Sequence, residues 1–345
     1  MAKRLILALV SAVLIAPPLP GGRAATTPHA TTLRPLRTIT LGMGYIPNVQ
    51  FAPFYAADQR GYYRQAGLRV TFSYAGSPNL IQLVGAGNTD FAIADGTDAL
   101  AAAGQGIPVT SVMTLYRRLP VAIFSLAGKN IRSVRDLRGK TIGIPGRYGA
   151  LYTGLLAALR TAGLGPGNVT IRSTNYTQVE SVAAGKVDAA VGYSANEPVQ
   201  LAALPGHYKV DTLQVGAVTG LVGAGVIAGH GLIARDPAIV RAFVQATLRG
   251  LADTIKDPRA AYTLARRVNG LTALRGAAAD VQYTVLLRTI DFWHDRATRA
   301  HGLGYADPAQ WQDSARTLRA IGQLPHPPAS GAPIDNAFSA GSAKL

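Results

Sequence analysis

Ala86-Gly87-Asn88-Thr89-Asp90-Phe91-Ala92-Ile93 and Ala184-Gly185-Lys186-Val187-Asp188-Ala189-Ala190-Val191 align at an offset of 98 positions, with Val84 falling on Val182. Each copy reads as a helix end, a glycine suited to the positive φ of a helix stop, an aspartate and a short apolar strand. In a chain rich in Gly and Ala such a match can arise by chance, so its weight depends on its surroundings. Strand signals at 38–45, 69–74, 91–94 and 109–116 alternate with helical ones at 52–66 and 79–86. The rhythm restarts with strands at 141–144, 169–173 and 189–193 and helices at 148–162 and 177–184. The sequence therefore predicts an α/β fold with parallel or mixed sheets in two lobes of similar design.

Beyond Asp236 the pattern becomes helical. Asp236-Pro237 supplies an N-cap with Pro in the first turn, and Val240, Phe243, Val244, Thr247, Leu251 and Ile255 keep one apolar face. Asp307-Pro308 repeats the start signal for a last helix ending near Gly322. This helical segment is expected to pack back on the first lobe, and the Pro-, Gly- and Ser-rich tail from Pro325 to be draped on the surface or disordered.

With 48% hydrophobic and 15% charged residues, the 345-residue chain has enough apolar mass for a large core, which excludes wholesale disorder. It has no cysteine, so disulfides, Cys-ligated metals, thiol nucleophiles and a lipid-modified N-terminal Cys are excluded. Residues 1–24 read as a secretory signal peptide: Lys3-Arg4, an apolar run from Leu5 to Ala16 too short to span a bilayer, then small residues before a cut after Ala24. Removing Lys3, Arg4 and Arg23 from 34 basic residues leaves 31 against 18 acidic ones, about +13. The basic residues are scattered, with no basic run, zinc-finger spacing or RNP-like aromatic motif, so no nucleic-acid partner is expected. The charge reads as a basic solvated surface with affinity for an anionic membrane face.

Catalytic motifs come up short. The chain lacks HExxH, G-x-S-x-G and GxxxxGK, and the G-x-G-x-x-A match at 223–228 lacks the following helix of a dinucleotide fold, so it reads as a flexible or extended connection. His294 and His301 are expected seven apart on one helix, without the carboxylate support a metal site needs. No metal, no cofactor and no catalytic residue is expected.

In open α/β sheets ligands bind beyond the carboxyl ends of the strands. The loops there carry Tyr45, Asn48, Phe51 and Phe54, then Asp95 and Thr97, then Tyr116 and Arg117, Arg147 and Tyr148, Tyr176, and finally Tyr193, Asn196 and Glu197. Aromatic rings placed so can sandwich a flat heterocycle while Asn48, Asp95, Asn196 and Glu197 hydrogen-bond its edge. Phe51, Phe54 and Tyr55 serve core packing equally well, and Glu197 has the alternative of capping the next helix. The stretch Gly146 to Gly149 is either an anion-binding helix start or a tight turn. Arg117 and Arg147 are left open between a ligand and solvent.

Gly44-Tyr45-Ile46-Pro47-Asn48, Phe54-Tyr55-Ala56-Ala57, Gly61-Tyr62-Tyr63 and Ala66-Gly67-Leu68-Arg69-Val70 resemble the N-terminal signature of the thiamine-pyrimidine-synthase-like and SsuA-like solute-binding proteins of ABC importers. Leu137-Arg138-Gly139-Lys140-Thr141-Ile142-Gly143, Gly185-Lys186-Val187-Asp188-Ala189 and Asn196-Glu197-Pro198 fit the same family. The resemblance implies a type II periplasmic-binding fold whose lobes close on a small molecule and deliver it to ABC permease transmembrane subunits with an ATPase subunit. The 45–55 segment resembles members that bind riboflavin or pyrimidine precursors of thiamine. The sulfonate, taurine and nitrate branches would gather Ser, Thr, Arg and backbone N–H donors around an anion, where this chain places Tyr and carboxylates. Fungal pyrimidine synthases of the family carry a Cys-rich motif absent here, so their activity does not carry over.

The expectation is an exported, monomeric binding protein, free in the periplasm or secreted. Lobe 1 would comprise 38–118 with 222–324, lobe 2 119–221 and the tail 325–345, with hinge crossovers near 117–121 and 216–225. The alternatives are an anion-binding relative, or an exported enzyme acting on a small heterocycle with Asp95 and Glu197 as acid and base.

Overall fold

The computed structural model describes residues 35–74 and 79–342. The expected signal peptide therefore lies outside the described residues. The chain runs β1 (Arg37–Gly42), α1 (Ala52–Gln59), α2 (Tyr62–Gln65), β2 (Leu68–Ser73), α3 (Leu80–Gly85), β3 (Phe91–Asp95), α4 (Gly96–Gly104) and β4 (Val109–Thr114). It crosses to β5 (Val121–Leu126), β6 (Thr141–Ile144), α5 (Gly149–Thr161), β7 (Thr170–Ser173), α6 (Gln178–Ala183), β8 (Ala189–Tyr193), α7 (Glu197–Ala203), β9 (Val210–Gln214) and α8 (Val215–Thr219). It returns through β10 (Ala224–Gly229) and ends in α9 (His230–Arg235), α10 (Pro237–Lys256), α11 (Pro258–Ala265), α12 (Gly276–Ile290), α13 (Arg296–His301) and α14 (Pro308–Ala320).

Two five-stranded mixed sheets result, ordered β2-β1-β3-β10-β4 and β7-β6-β8-β5-β9. The orders correspond strand for strand. In each, the strand carrying the repeat pairs in parallel with the opening strand, Leu41 opposite Phe91 and Ile142 opposite Ala189. An antiparallel strand delivered by the crossover from the other sheet then lies beside it, β10 on β3 and β5 on β8. The repeated aspartates have one job in both copies. Asp90 accepts the Thr40 amide at 2.8 Å, and Asp188 accepts that of Thr141 at 2.9 Å, which pins the incoming loop to the neighbouring strand. The glycines before them, Gly87 and Gly185, sit at φ of 78° and 67°, as a helix stop requires.

Several expectations change. The single helix expected at 52–66 breaks into α1 and α2, because Gly61 takes φ 75° between them. Of the stretch 223–228, expected to be a connection, only Gly223 is one; the rest lies in the fully buried β10, the antiparallel partner of both β3 and β4. Its glycines serve close approach: a Cβ on Gly225 would lie 2.2 Å from the Met113 carbonyl oxygen. His294 precedes α13, whereas His301 ends it, so they do not share a helix. The tail is anchored along its described length. Ile334 bridges to Ser111 at the edge of β4, Asn336 exchanges hydrogen bonds with the backbone of Ala306, and Phe338 is buried.

The helical segment packs on the first sheet, as its pattern predicted. Asp236 caps α10 through the Ile239 amide, and Val240, Phe243, Val244, Thr247 and Leu251 are buried. Phe243 stacks on Phe91 at 4.3 Å and on Tyr63 at 5.5 Å, so one ring ties α10 to β3 and α2. Among the described residues no helix is long and apolar enough to cross a membrane.

Candidate functional site

The carboxyl ends of strands from the two sheets meet at an inter-lobe junction, the cleft of the fold, where side chains of the two sides touch. Asp95 is the last residue of β3 and Tyr193 the last of β8, and the Tyr193 hydroxyl donates to Asp95 at 2.9 Å across the cleft. Asp95 also opens α4, so 95–97 is a strand-to-helix junction, not the loop expected there. The other Asp95 carboxylate oxygen and the Thr97 hydroxyl are buried without partners. Buried polar atoms in this condition are few in folded proteins, and each calls for a reason.

Nearby lies a set of carboxyls lacking a basic partner. Burial raises Asp95 to about 6 against the help of the Tyr193 hydrogen bond, and it raises Asp98, with the repulsion of Asp95 added, to about 8. Glu197, the first residue of α7, accepts the Tyr193 amide at 2.7 Å, and burial raises it to about 7. Glu197 thus ties the end of β8 to the start of α7 without capping the helix, and it lies near enough to Tyr45 on the opposite lobe that burial and then Glu197 raise the phenol.

An aromatic rim lies over this floor. Tyr45 faces Tyr176 with ring centroids 6.5 Å apart, and the Tyr148 and Tyr176 hydroxyls are 3.3 Å apart. Tyr148 and Tyr176 are 56% and 60% exposed, a large outlay of aromatic surface outside the core. Asn175 and Tyr176 also hold φ of 48° and 67°, which is strained for a tyrosine and typical of ligand clamps. Tyr116 extends the wall: it receives a long 3.4 Å hydrogen bond from the Gln50 amide and packs edge-on against Trp293 at 6.3 Å.

Other candidates are placed elsewhere. Phe54 is fully buried in the core and Phe51 packs edge-on to Tyr55, so packing prevails for both. Arg117 is buried and bound to the Asp295 carboxylate at 3.2 Å and to the Tyr305 carbonyl, which withdraws it from the cleft. Arg147 is exposed and reaches the Ile171 carbonyl at 3.4 Å. Asn48 caps the following turn through the Gln50 amide, and Asn196 accepts from Gln200. Sequence reasoning passed over Asp98, Gln50 and Trp293. Asp98 lies one residue past Thr97, but the small-residue run after it hid α4.

Paired sheets of this order, joined by two crossovers, define the two-lobed periplasmic-binding-protein fold. The NMT1/THI5-like family model matches residues 48–261, and the chain belongs to that family. It is 39% identical over 327 residues to the riboflavin-binding protein RibY of Chloroflexus aurantiacus, covering 94% of this chain and 92% of that one. A 4-amino-5-hydroxymethyl-2-methylpyrimidine phosphate synthase of Legionella pneumophila is 27% identical over 232 residues, 66% of this chain and 72% of the other. The alkanesulfonate-binding protein SsuA of Xanthomonas axonopodis pv. citri, solved with MOPS, superposes with a TM-score of 0.66 at 18% identity, covering 87% of this chain and 98% of that one.

Proposed function

We propose that the protein is the exported receptor of an ABC importer, which captures a small aromatic N-heterocycle between its lobes and hands it to permease subunits driven by an ATPase subunit. Riboflavin or an aminopyrimidine precursor of thiamine is the ligand class. The observation that carries this is the set of side chains at the inter-lobe junction, the Tyr45, Tyr148 and Tyr176 rings together with the Asp95 and Tyr193 pair. Exposed rings stack on a flat ligand, and the unpartnered Asp95 oxygen and Thr97 hydroxyl hydrogen-bond its edge. The likeness to a riboflavin-binding protein over nearly the whole chain supports the same ligand class.

In this proposal the lobes are 38–118 with 222–324 and 119–221, and they hinge at the crossovers. There the Leu119 amide donates to the Leu221 carbonyl at 2.9 Å, so the two connections move together. Ligand contacts made only when the lobes meet favour the closed state. Residues 1–24 direct export and are removed, leaving a monomer.

Thermal unfolding of the chain from Ala25, alone and with excess riboflavin, thiamine pyrimidine precursor, thiamine, taurine, an aliphatic sulfonate or nitrate, tests this. Ligand at about 100 times its dissociation constant adds about 2.7 kcal/mol and raises the midpoint by several degrees. A shift with riboflavin or the pyrimidine alone is expected, and a shift only with the anions overturns the heterocycle assignment. The second function, an enzyme acting on a small heterocycle, draws on the synthase relatives at 27% identity. It requires turnover, so recovery of intact ligand after prolonged incubation counts against it.

A further inference from the structure

We propose that Asp98, together with Asp95, is a charge filter that admits an uncharged or cationic heterocycle to the cleft and rejects its phosphate ester. The proposal rests on the heterocycle cleft described above and adds to it a residue and a rule of selection.

Asp98 lies in the first turn of α4, just beyond Asp95, and faces lobe 2. A Cβ placed on Gly149, the first residue of α5, would sit 3.8 Å from an Asp98 carboxylate oxygen. α5 is 13 residues long, its N-cap Tyr148 makes no capping hydrogen bond, and its first turn carries no acidic residue. Free N–H groups at the start of such a helix ordinarily hold an anion. Here a carboxyl of the opposite lobe stands against that end, with Asp95 beside it. Between them Thr97, only 1% exposed, carries a hydroxyl without a partner, as does one Asp95 oxygen. These are unmet hydrogen-bonding groups for a ligand with N–H or O–H groups at its edge.

The cations near the cleft do not offset this charge. Arg117 is spent on Asp295 and Tyr305, Arg147 turns to the Ile171 carbonyl, and among the described residues no ion pair involves Asp95, Asp98 or Glu197. Burial raises both carboxyls, and the Asp95 charge adds to the rise at Asp98, so a further anion meets two acidic groups that no cation offsets. A phosphate ester brings roughly −1.5 to −2 more into the same half-buried space.

The experiment measures equilibrium binding of riboflavin and flavin mononucleotide, and of 4-amino-5-hydroxymethyl-2-methylpyrimidine and its phosphate, at neutral pH and fixed salt. In the native protein the ester of whichever parent binds is expected to bind about a hundredfold more weakly. In Asp95→Asn/Asp98→Asn the ester-to-parent affinity ratio is expected to rise at least about tenfold. The ratio separates the filter from a general loss of binding. Should that variant not fold, Asp95→Ser/Asp98→Asn also removes both carboxyls, so that neither can take up the charge the other loses, and is expected to move the ratio the same way. Equal affinity for ester and parent in the native protein, or an unmoved ratio in the folded variants, overturns the filter and leaves the heterocycle cleft standing. Failure of both parents to bind the native protein overturns the cleft assignment and the filter with it.

Discussion

Tyr193 donates its hydroxyl to Asp95 at 2.9 Å, and the two residues stand at equivalent places in the repeat, 98 positions apart, each ending its strand. The repeat that shapes the lobes therefore meets itself in the cleft. Burial and the Asp95 charge raise the Tyr193 phenol, so it stays a donor across the physiological range. Tyr193→Phe leaves both Asp95 oxygens unpartnered and is expected to weaken ligand binding by about 1 to 3 kcal/mol. Calorimetric affinity equal to that of the native protein would dismiss the bond as a closure contact.

Glu197 accepts the Tyr193 amide, so its removal has a structural cost as well as a functional one. Glu197→Ala is expected to lose about 1 to 3 kcal/mol of binding and to lower the unfolding midpoint, while Glu197→Gln, which keeps an acceptor, retains most of the stability. An alanine variant with native stability and native affinity would remove Glu197 from both roles.

The three cleft carboxyls give the ligand-free protein an unusual pH dependence. Burial raises Asp95 to about 6, Glu197 to about 7 and Asp98 to about 8, from ordinary values of 3.8 for Asp and 4.5 for Glu. Raised values mean that the folded state binds more protons than the unfolded one between about pH 4 and pH 8. This contribution to stability is complete below the unfolded values and is lost as pH rises through the folded ones. The unfolding midpoint is expected to fall from pH 5 to pH 8, and less so in Asp95→Asn/Asp98→Asn. A native midpoint that rises over that interval contradicts the burial of these groups.

Asp90 and Asp188 each hold the backbone of a neighbouring strand. Asp90→Ala leaves the Thr40 amide without its acceptor and is expected to cost about 1 to 3 kcal/mol in chemical denaturation. Asp188 also pairs with Lys129 at 2.9 Å, and the Thr141 amide followed by Lys129 holds its carboxyl below the usual value. Its contribution is thus present above about pH 4 and lost as pH falls further, opposite in sense to the cleft carboxyls. Native stability in Asp90→Ala would leave the repeat without this structural reason.

The alternation of strands and helices was legible because each lobe is built from local units whose glycine stops and apolar strands carry their own signals. The repeat was legible because Asp90 and Asp188 do the same work twice. What escaped was set by tertiary context. β10 is a run of Ala, Gly, Val and Ile without alternation, buried on all sides, so its glycines read as flexibility when they serve close packing. α4 is mostly Ala and Gly, with too few polar residues to show its period, which hid Asp98. Arg117 looked available to a ligand because its partner Asp295 lies 178 residues away, a pairing no local pattern encodes. The aromatic rim was found from strand ends alone, while Trp293 and Gln50 reach the site through packing that only the folded chain specifies.

The crossovers leave no room for side chains between them. A Cβ on Gly223 would lie 2.5 Å from the carbonyl oxygens of both Arg118 and Tyr116, so the returning chain presses backbone to backbone on the outgoing one. Tyr116 and Leu115 both donate to the Ala224 carbonyl just beyond it, at 2.8 and 3.0 Å. Gly223→Ala must push the two connections apart or distort them, at a cost of about 1 to 3 kcal/mol. Because Tyr116 sits at the cleft wall, the displacement also reaches the ligand. The variant is expected to lower both the unfolding midpoint and the affinity for ligand, in contrast to Asp90→Ala, which affects stability alone. Denaturation and titration on the two variants side by side check this, and a Gly223→Ala protein with native stability and affinity would show that the crossovers have slack the packing does not reveal.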